Sequence, residues 1–340
     1  SYSAMSMMSY MFRANYSLFD RYMITATGRY DGTSRLFADN VSNNQWGFMP
    51  SIALAWRMSE EEFIDDLNIF DNLKLRLSYG KTGNNNIGYD ITLSKLNLSR
   101  YSFGNNGING FGLSGQKGNP DLQWEMTSEY NLGLDFGFFN NRLSGSIDTY
   151  HRITDGLIFS RAVGGVNGFS SVMQNIGTTQ NRGVELSLNS INIKSKNFEW
   201  RSTLTFSLNR NKIIDLYGDK KDDIGNHWYI GFPIDIIYDL QFAGIWQAEE
   251  AEDAAKYGQA PGHIKTVDQN KDYRIDSKDY KIIGAKSPDW TAGLNTTLIY
   301  KNFDLYVDMY CQYGGIYNDS FTYMFTGWDN EHWNKLKEHF

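Results

Sequence analysis

Between Phe303 and Gln312 the chain alternates without a break. Phe303, Leu305, Val307, Met309 and Cys311 fall on one side of an extended strand, and Asp304, Tyr306, Asp308, Tyr310 and Gln312 fall on the other. A strict period of two excludes a helix and requires the two strand faces to meet different surroundings. In a soluble sheet the apolar side packs on a core. In a membrane barrel it meets lipid, and the polar side lines a wet interior.

The same alternation recurs, giving ten strands that come in pairs. Phe12 to Leu18 and Tyr22 to Tyr30 flank a short link, and Ile52 to Trp56 and Leu73 to Tyr79 flank an acidic one, "SEEEFIDDLNIFDN", with room for a helical turn. Tyr130 to Phe138 turns at Asn140-Asn141 into Leu143 to Tyr150, and Val184 to Asn189 leads through "KSKN" to Trp200 to Leu208. Trp290 to Tyr300 turns at Lys301-Asn302 into the strand described above. Between the pairs lie long segments, 81 to 124, 151 to 180 and 211 to 289. Short turns alternating with long connections, and strands of about nine to eleven residues, suit an outer-membrane barrel. Aromatics beside the short turns (Phe138, Phe139, Phe198, Trp200, Tyr300, Phe303) suit an interfacial girdle. From these residues alone, a soluble β-sandwich or β-helix also stays open.

Composition agrees with many strands: 22 Tyr, 21 Phe and 9 Trp stand beside 32 Gly and only 5 Pro. Mean hydropathy is −0.49, which a barrel tolerates because only alternate residues of each strand are apolar. No run reaches the roughly 18 apolar residues of a spanning helix, and the first residues lack the pattern of a signal peptide. The single cysteine, Cys311, reads as a small hydrophobe. A net charge of −7 argues against nucleic acid as a partner.

Five segments, in order, resemble one family. "NPDLQWEMTSEYNLGLDFGFFNNRLSGSIDTYHRITDGLIF" (119 to 159) is similar to the most recognisable part of SusC/RagA-type TonB-dependent outer-membrane transporters. "RYDGTSRLFADNVSNNQWGFMPSIALAWRMSEEEF", "LKLRLSYGKTGNNNIG", "FSSVMQNIGTTQNRGVELSLN" and "PDWTAGLNTTLIYKNFDL" resemble other segments of it. The resemblance implies an all-β fold, an antiparallel transmembrane β-barrel of about 22 strands closed by an N-terminal plug. It implies residues 1–340 as the C-terminal portion of that barrel, without the plug and the N-terminal strands and short of the final strand. It also implies location in the Gram-negative outer membrane, energy from the TonB complex through the N-terminal region, and a SusD-like surface lipoprotein. The expected activity is import of an oligosaccharide or oligopeptide, with no catalysis. Rival readings are a passive channel and a soluble carbohydrate-binding β-protein.

The strongest local motif is "DQNKDYRIDSKD", 268 to 279, inside the longest connection. Asp268, Asn270, Asp272, Asp276 and Asp279 occupy positions 1, 3, 5, 9 and 12 of a calcium loop, and the Arg274 carbonyl occupies position 7. Ca2+ is the expected ion. Tyr273 stands where the pattern places Gly, and a bulky residue resists the positive φ needed there. The alternative is an acidic turn without metal. The histidines His151, His227, His263, His332 and His339 are scattered, with no paired ligand spacing. Loop aromatics Tyr89, Tyr101, Phe169, Trp228, Tyr229, Trp246, Trp328 and Trp333 suit stacking on a ligand, but packing is the better expectation for each.

Overall fold

The computed structural model describes residues 4–38, 44–89, 91–103, 106–113, 115–164, 168–317 and 319. The expected His332, His339, Trp328 and Trp333 therefore lie outside the described residues, as does the Tyr101 side chain. The chain divides into two units, Ser1–Ile234 with Trp290–Gln312, and Asp235–Asp289 with Tyr313–Phe340.

The first unit is built on one ten-stranded sheet whose spatial order is the chain order. Its strands are β1 Met7–Leu18, β2 Tyr22–Thr33, β3 Trp46–Arg57, β4 Phe70–Asn84, β5 Glu125–Phe138, β6 Leu143–Asp155, β7 Thr178–Lys194, β8 Phe198–Asp215, β9 Trp290–Tyr300 and β10 Phe303–Tyr313. Each of the ten expected strands is one of these. The pairings from β1 through β9 are antiparallel. Among the described residues no helix is long and apolar enough to cross a membrane, which leaves β-barrels untouched.

Directly opposed residues share a face, so the register writes out each face as rows. One row runs Leu18, Tyr22, Trp56, Leu75, Leu134, Ile147, Leu186, Phe206, Ala292 across nine strands, apolar throughout. The adjacent row runs Ser17, Met23, Ala55, Arg76, Gly133, Asp148, Glu185, Ser207, Thr291. A slip of one residue in any strand would exchange the two faces, so the alternation fixes the register.

The short turns sit at one end. Phe139, Asn140 and Asn141 take φ of 58°, 58° and 55° between β5 and β6, a conformation that Asn tolerates well. The link between β3 and β4 holds the expected helical turn, Met58–Glu60 followed by α1, Glu62–Asp65. Its Glu61 accepts hydrogen bonds from the Tyr22 hydroxyl at 2.6 Å and Trp56 Nε1 at 2.9 Å, so the turn is pinned to two aromatics of β2 and β3. Those bonds, Tyr22's first, hold the Glu61 carboxyl below its usual range.

At the other end the strands run further than the alternation suggests. β4 continues to Asn84, β6 to Asp155 and β8 to Asp215, and β7 starts at Thr178. In these extensions the apolar side is lost (Lys81 opposes Ser128) while the backbone ladder continues, so a hydrophobic pattern cannot see them. Above them the connections pack a small core of their own. Leu36, Met49, Leu122 and Trp124 are buried together, and Trp124 Nε1 donates to the Gln45 carbonyl at 3.0 Å. The "NPDLQW" part of the recognisable segment is thus a packing motif.

The second unit carries two antiparallel strand pairs, Ile236–Leu240 with Tyr280–Ala285 and Phe242–Ile245 with Ile264–Thr266, and the short helix α2, Ala251–Lys256. Trp246 is its buried anchor. The indole donates to Gln259 Oε1 at 2.5 Å and lies under the Lys265 ammonium, 4.3 Å from the ring centre.

Candidate functional site: the polar face of the sheet

The polar face places its charges in rows that strand pairing alone would keep apart. Arg76 on β4 and Asp148 on β6 are separated by β5, yet Arg76 Nη2 donates to Asp148 Oδ2 at 2.9 Å. The bridge passes over Gly133. A Cβ there would lie 2.5 Å from Asp148 Oδ1 and 2.7 Å from Arg76 Cζ. The same guanidinium grips Asp135 through Nε at 3.0 Å and Nη2 at 2.7 Å, a bidentate geometry that fixes its orientation. One turn of the pattern away, Tyr150 on β6 reaches over Gly183 on β7 to Asn209 on β8, hydroxyl to Oδ1 3.0 Å. Two glycines therefore act as slots that let polar side chains cross a strand. Neither glycine stands out in the sequence, where Gly133 falls in a polar alternation and Gly183 lies just before one.

Beside this network lies a recess of about 270 Å³ lined by Asp148, Glu185, Thr205, Ser207, Thr291 and Tyr310 together with the apolar Leu186, Phe206 and Ala292. Glu185 is exposed there. The carboxylates and hydroxyls of the recess suit hydrogen bonding to a polyhydroxylated or amide-rich molecule. Tyr310 on this side sets Cys311, exposed and free, on the apolar one.

In the loop 268–279 each acidic side chain is engaged with backbone. Asp268 accepts from Lys271 N at 2.6 Å and Tyr273 N at 2.9 Å, Asn270 from Asp272 N at 3.0 Å, and Asp272 from Arg274 N at 2.9 Å. Asp276 accepts from Lys278 N at 2.8 Å. Asp279, fully buried, accepts from Asp276 N at 2.8 Å and Gln269 N at 2.9 Å, bonds that hold its carboxyl below the usual range. Tyr273 does take the positive φ, 63°, and its ring packs 5.6 Å from that of Tyr257. Among the described residues no three acidic, His or Cys side chains are arranged to hold a metal ion.

Of the loop aromatics, Trp246 is buried, Trp228 packs on Phe159 at 4.5 Å, and Tyr89 lies under Arg35 at 4.9 Å. Packing accounts for these three. His151 contacts Gln180, and His227 caps a 3-10 turn at φ 57°.

A polar recess on one face and an uninterrupted apolar row on the other describe a wall between water and hydrocarbon. The model of the family described as TonB dependent receptor-like, beta-barrel matches residues 1–331. The chain belongs to this family. It is 36% identical over 321 residues to the TonB-dependent receptor SusC of Bacteroides thetaiotaomicron, covering 88% of the chain and 30% of that protein. A TonB-dependent receptor of Formosa agariphila is 37% identical over 315 residues, 89% of the chain and 31% of the relative. The solved RagAB peptide transporter superposes with a TM-score of 0.72 at 29% identity, over 90% of this chain and 33% of that one. The chain thus spans about a third of the length of these relatives. Members of this family are outer-membrane transporters of Gram-negative bacteria rather than enzymes. The sheet is barrel wall: its apolar face meets lipid, its polar face the lumen, and its long connections are extracellular.

Proposed function

We propose that residues 1–340 form the C-terminal portion of a barrel of about 22 strands that actively imports a large nutrient, an oligosaccharide or oligopeptide. A SusD-like surface lipoprotein closes over its extracellular loops, and the TonB complex acts through a plug contributed by the rest of the protein. The observation that carries this reading is the polar lumenal wall, with its recess of hydroxyls and carboxylates, in a chain 36% identical to SusC. The likeness to a peptide transporter keeps the oligopeptide beside the oligosaccharide. β1 and β10 end the ten-stranded order, and lipid requires every edge to be paired, so further strands belong on both sides.

Uptake by cells carrying the full-length protein tests it. Import of labelled oligosaccharide or oligopeptide should stop when the proton-motive force is collapsed; import that continues is the behaviour of a passive channel. Purification in mild detergent should recover a surface lipoprotein, and recovery of the transporter alone would remove the lid.

The same reading includes a calcium ion in the loop 268–279, where it stiffens the extracellular surface. The positive φ at Tyr273 supports it, because a calcium loop needs that sharp turn at position 6. Asp268, Asn270, Asp272, Asp276 and Asp279 would supply side-chain oxygens and Arg274 its carbonyl. Their present bonds to backbone N–H groups use only part of each oxygen's capacity, so binding draws them inward. Calorimetry with calcium should register heat that Asp268→Asn with Asp272→Asn abolishes. No heat with the unaltered protein removes the ion.

A further inference from the structure

We propose that the lumenal recess beside Glu185 seats a cation carried by the cargo, and that the cargo is an oligopeptide with a basic side chain. The inference rests on the import reading above and narrows its substrate class. The recess draws its polar lining from five strands, with Asp148 on β6, Glu185 on β7, Thr205 and Ser207 on β8, Thr291 on β9 and Tyr310 on β10.

The charges there do not balance. Glu185 and Asp148 are directly opposed across β7 and β6, and like charges in that position repel. Asp148 is matched, because Arg76 Nη2 donates to it at 2.9 Å. Elsewhere on the lumenal face Asp135 also takes Arg76, Glu129 takes Arg152, and Glu199 takes Arg201. Among the described residues no cation pairs with Glu185, nor with Asp304 or Asp308, which share the polar side of β10 with Tyr310. Lys74 lies on the same face of the sheet but opposes Asp135 on β5, and β5 and β6 separate its strand from β7. Lys74 and Arg76 thus face three acids, Asp135, Asp148 and Glu185, and the excess negative charge lies at the recess.

The unmatched groups are within reach of a ligand. Glu185 is exposed, and Tyr310 is 72% exposed. A cargo cation between Glu185 and Asp148 turns their repulsion into attraction, whereas a neutral sugar hydroxyl leaves it in place. The hydroxyls of Thr205, Ser207 and Thr291 accept further N–H groups, and the Tyr310 ring offers its face to a cation. A planar guanidinium, with five donors and a flat surface for stacking, uses this set more fully than the compact ammonium of an amino sugar. The same chemistry therefore selects a peptide, and arginine over lysine within it.

The test uses the full-length transporter purified in mild detergent and incubated with two probes, a random-sequence peptide library and a mixture of glucosamine oligomers. Retained molecules are identified by mass spectrometry. Retained peptides should be richer in arginine and lysine than the input, and Glu185→Gln should remove that enrichment. A retained peptide is then remade with citrulline, the neutral analogue of arginine. That exchange should weaken binding about tenfold in the unaltered protein and change it little in Glu185→Gln. Peptides retained without basic enrichment overturn the proposal. So does an equal citrulline effect in the two proteins, the result expected if another part of the protein already matches Glu185. Retention of glucosamine oligomers in place of peptides overturns the choice of a peptide, and retention of neither probe overturns the site. Uptake is read separately: enrichment that depends on Glu185, with import that survives collapse of the proton-motive force, upholds the recess and overturns active transport.

Discussion

Arg76 and Arg182 stand on opposite faces of one sheet, and their surroundings differ in kind. Arg76, on the lumenal face, is enclosed by Asp135 and Asp148, the second reached across Gly133. Arg182, on the lipid-facing side, is opposed by another arginine, Arg210, above an apolar floor. The lumenal wall matches Arg76 within the protein, so it presents a rigid polar surface to passing cargo. The outer wall sets two arginines side by side on adjacent strands, at the level where the aromatic pair Tyr79 and Tyr130 lies.

The largest test of this contrast is a charge moved into the apolar row. Leu134→Lys places an ammonium on the lipid face between Leu75 and Ile147 and should cost about 2–4 kcal/mol near the midplane, read by urea unfolding in lipid vesicles. Glu185→Gln, exposed on the lumenal face of the neighbouring row, should leave the midpoint unchanged. Equal damage from both would mean that the faces are misassigned.

The face assignment was legible in the sequence because period-two alternation survives in every one of the ten strands. The strand extensions were not, since residues such as Lys81 and Ser128 keep the backbone ladder without an apolar side. Nor were the glycine slots: Gly133 looks like an ordinary member of a polar alternation, and Gly183 like the residue before one, until the register places Arg76 and Asp148, or Tyr150 and Asn209, on either side of them. The turn at Tyr273 shows the opposite limit. Its side chain argued against a positive φ, and packing on Tyr257 together with the Asp268 bond to its N–H hold that conformation nevertheless.

A middle-sized effect follows from removing the matched cation. Arg76→Leu leaves Asp135 on β5 and Asp148 on β6 as diagonal neighbours without their shared cation, partly screened by lumenal water, and should cost about 1–2 kcal/mol. Adding Asp135→Asn and Asp148→Asn should restore much of that stability. A triple variant no more stable than Arg76→Leu would show that packing of the Arg76 stem, rather than its charge, matters.

The short turn after β3 carries an acid held by two aromatic side chains, and this predicts a local pH effect there. Glu61 has a depressed folded-state pKa, so its contribution is present above its ordinary value of 4.5 and fades as pH falls through the folded value. Hydrogen exchange at Met58–Glu60 and α1 should therefore quicken under acid in the unaltered protein. In Glu61→Gln that acid dependence should vanish. Persistent acid sensitivity in the variant would assign the effect to another group.

The smallest effect belongs to a second lumenal pair that lacks a slot. Arg152 Nε donates to Glu129 Oε2 at 2.7 Å, but the two side chains retain 45% and 34% of their exposure, with only the Tyr150 ring, 5.6 Å from the guanidinium, beside them. Water screens such a pair, and ordering two long side chains offsets most of the attraction, so Glu129→Gln should change stability by about 0.5 kcal/mol or less. The distance is as short as the one between Arg76 and Asp135, which makes the comparison one of surroundings rather than of contact length. Raising the salt concentration separates them further. The Arg152 pair should lose what little it contributes, whereas the Arg76 cluster, more enclosed and held by three hydrogen bonds to Asp135 and one to Asp148, should keep most of its own. Equal salt sensitivity in the two variants would mean that the glycine slot gives Arg76 no shelter from lumenal water.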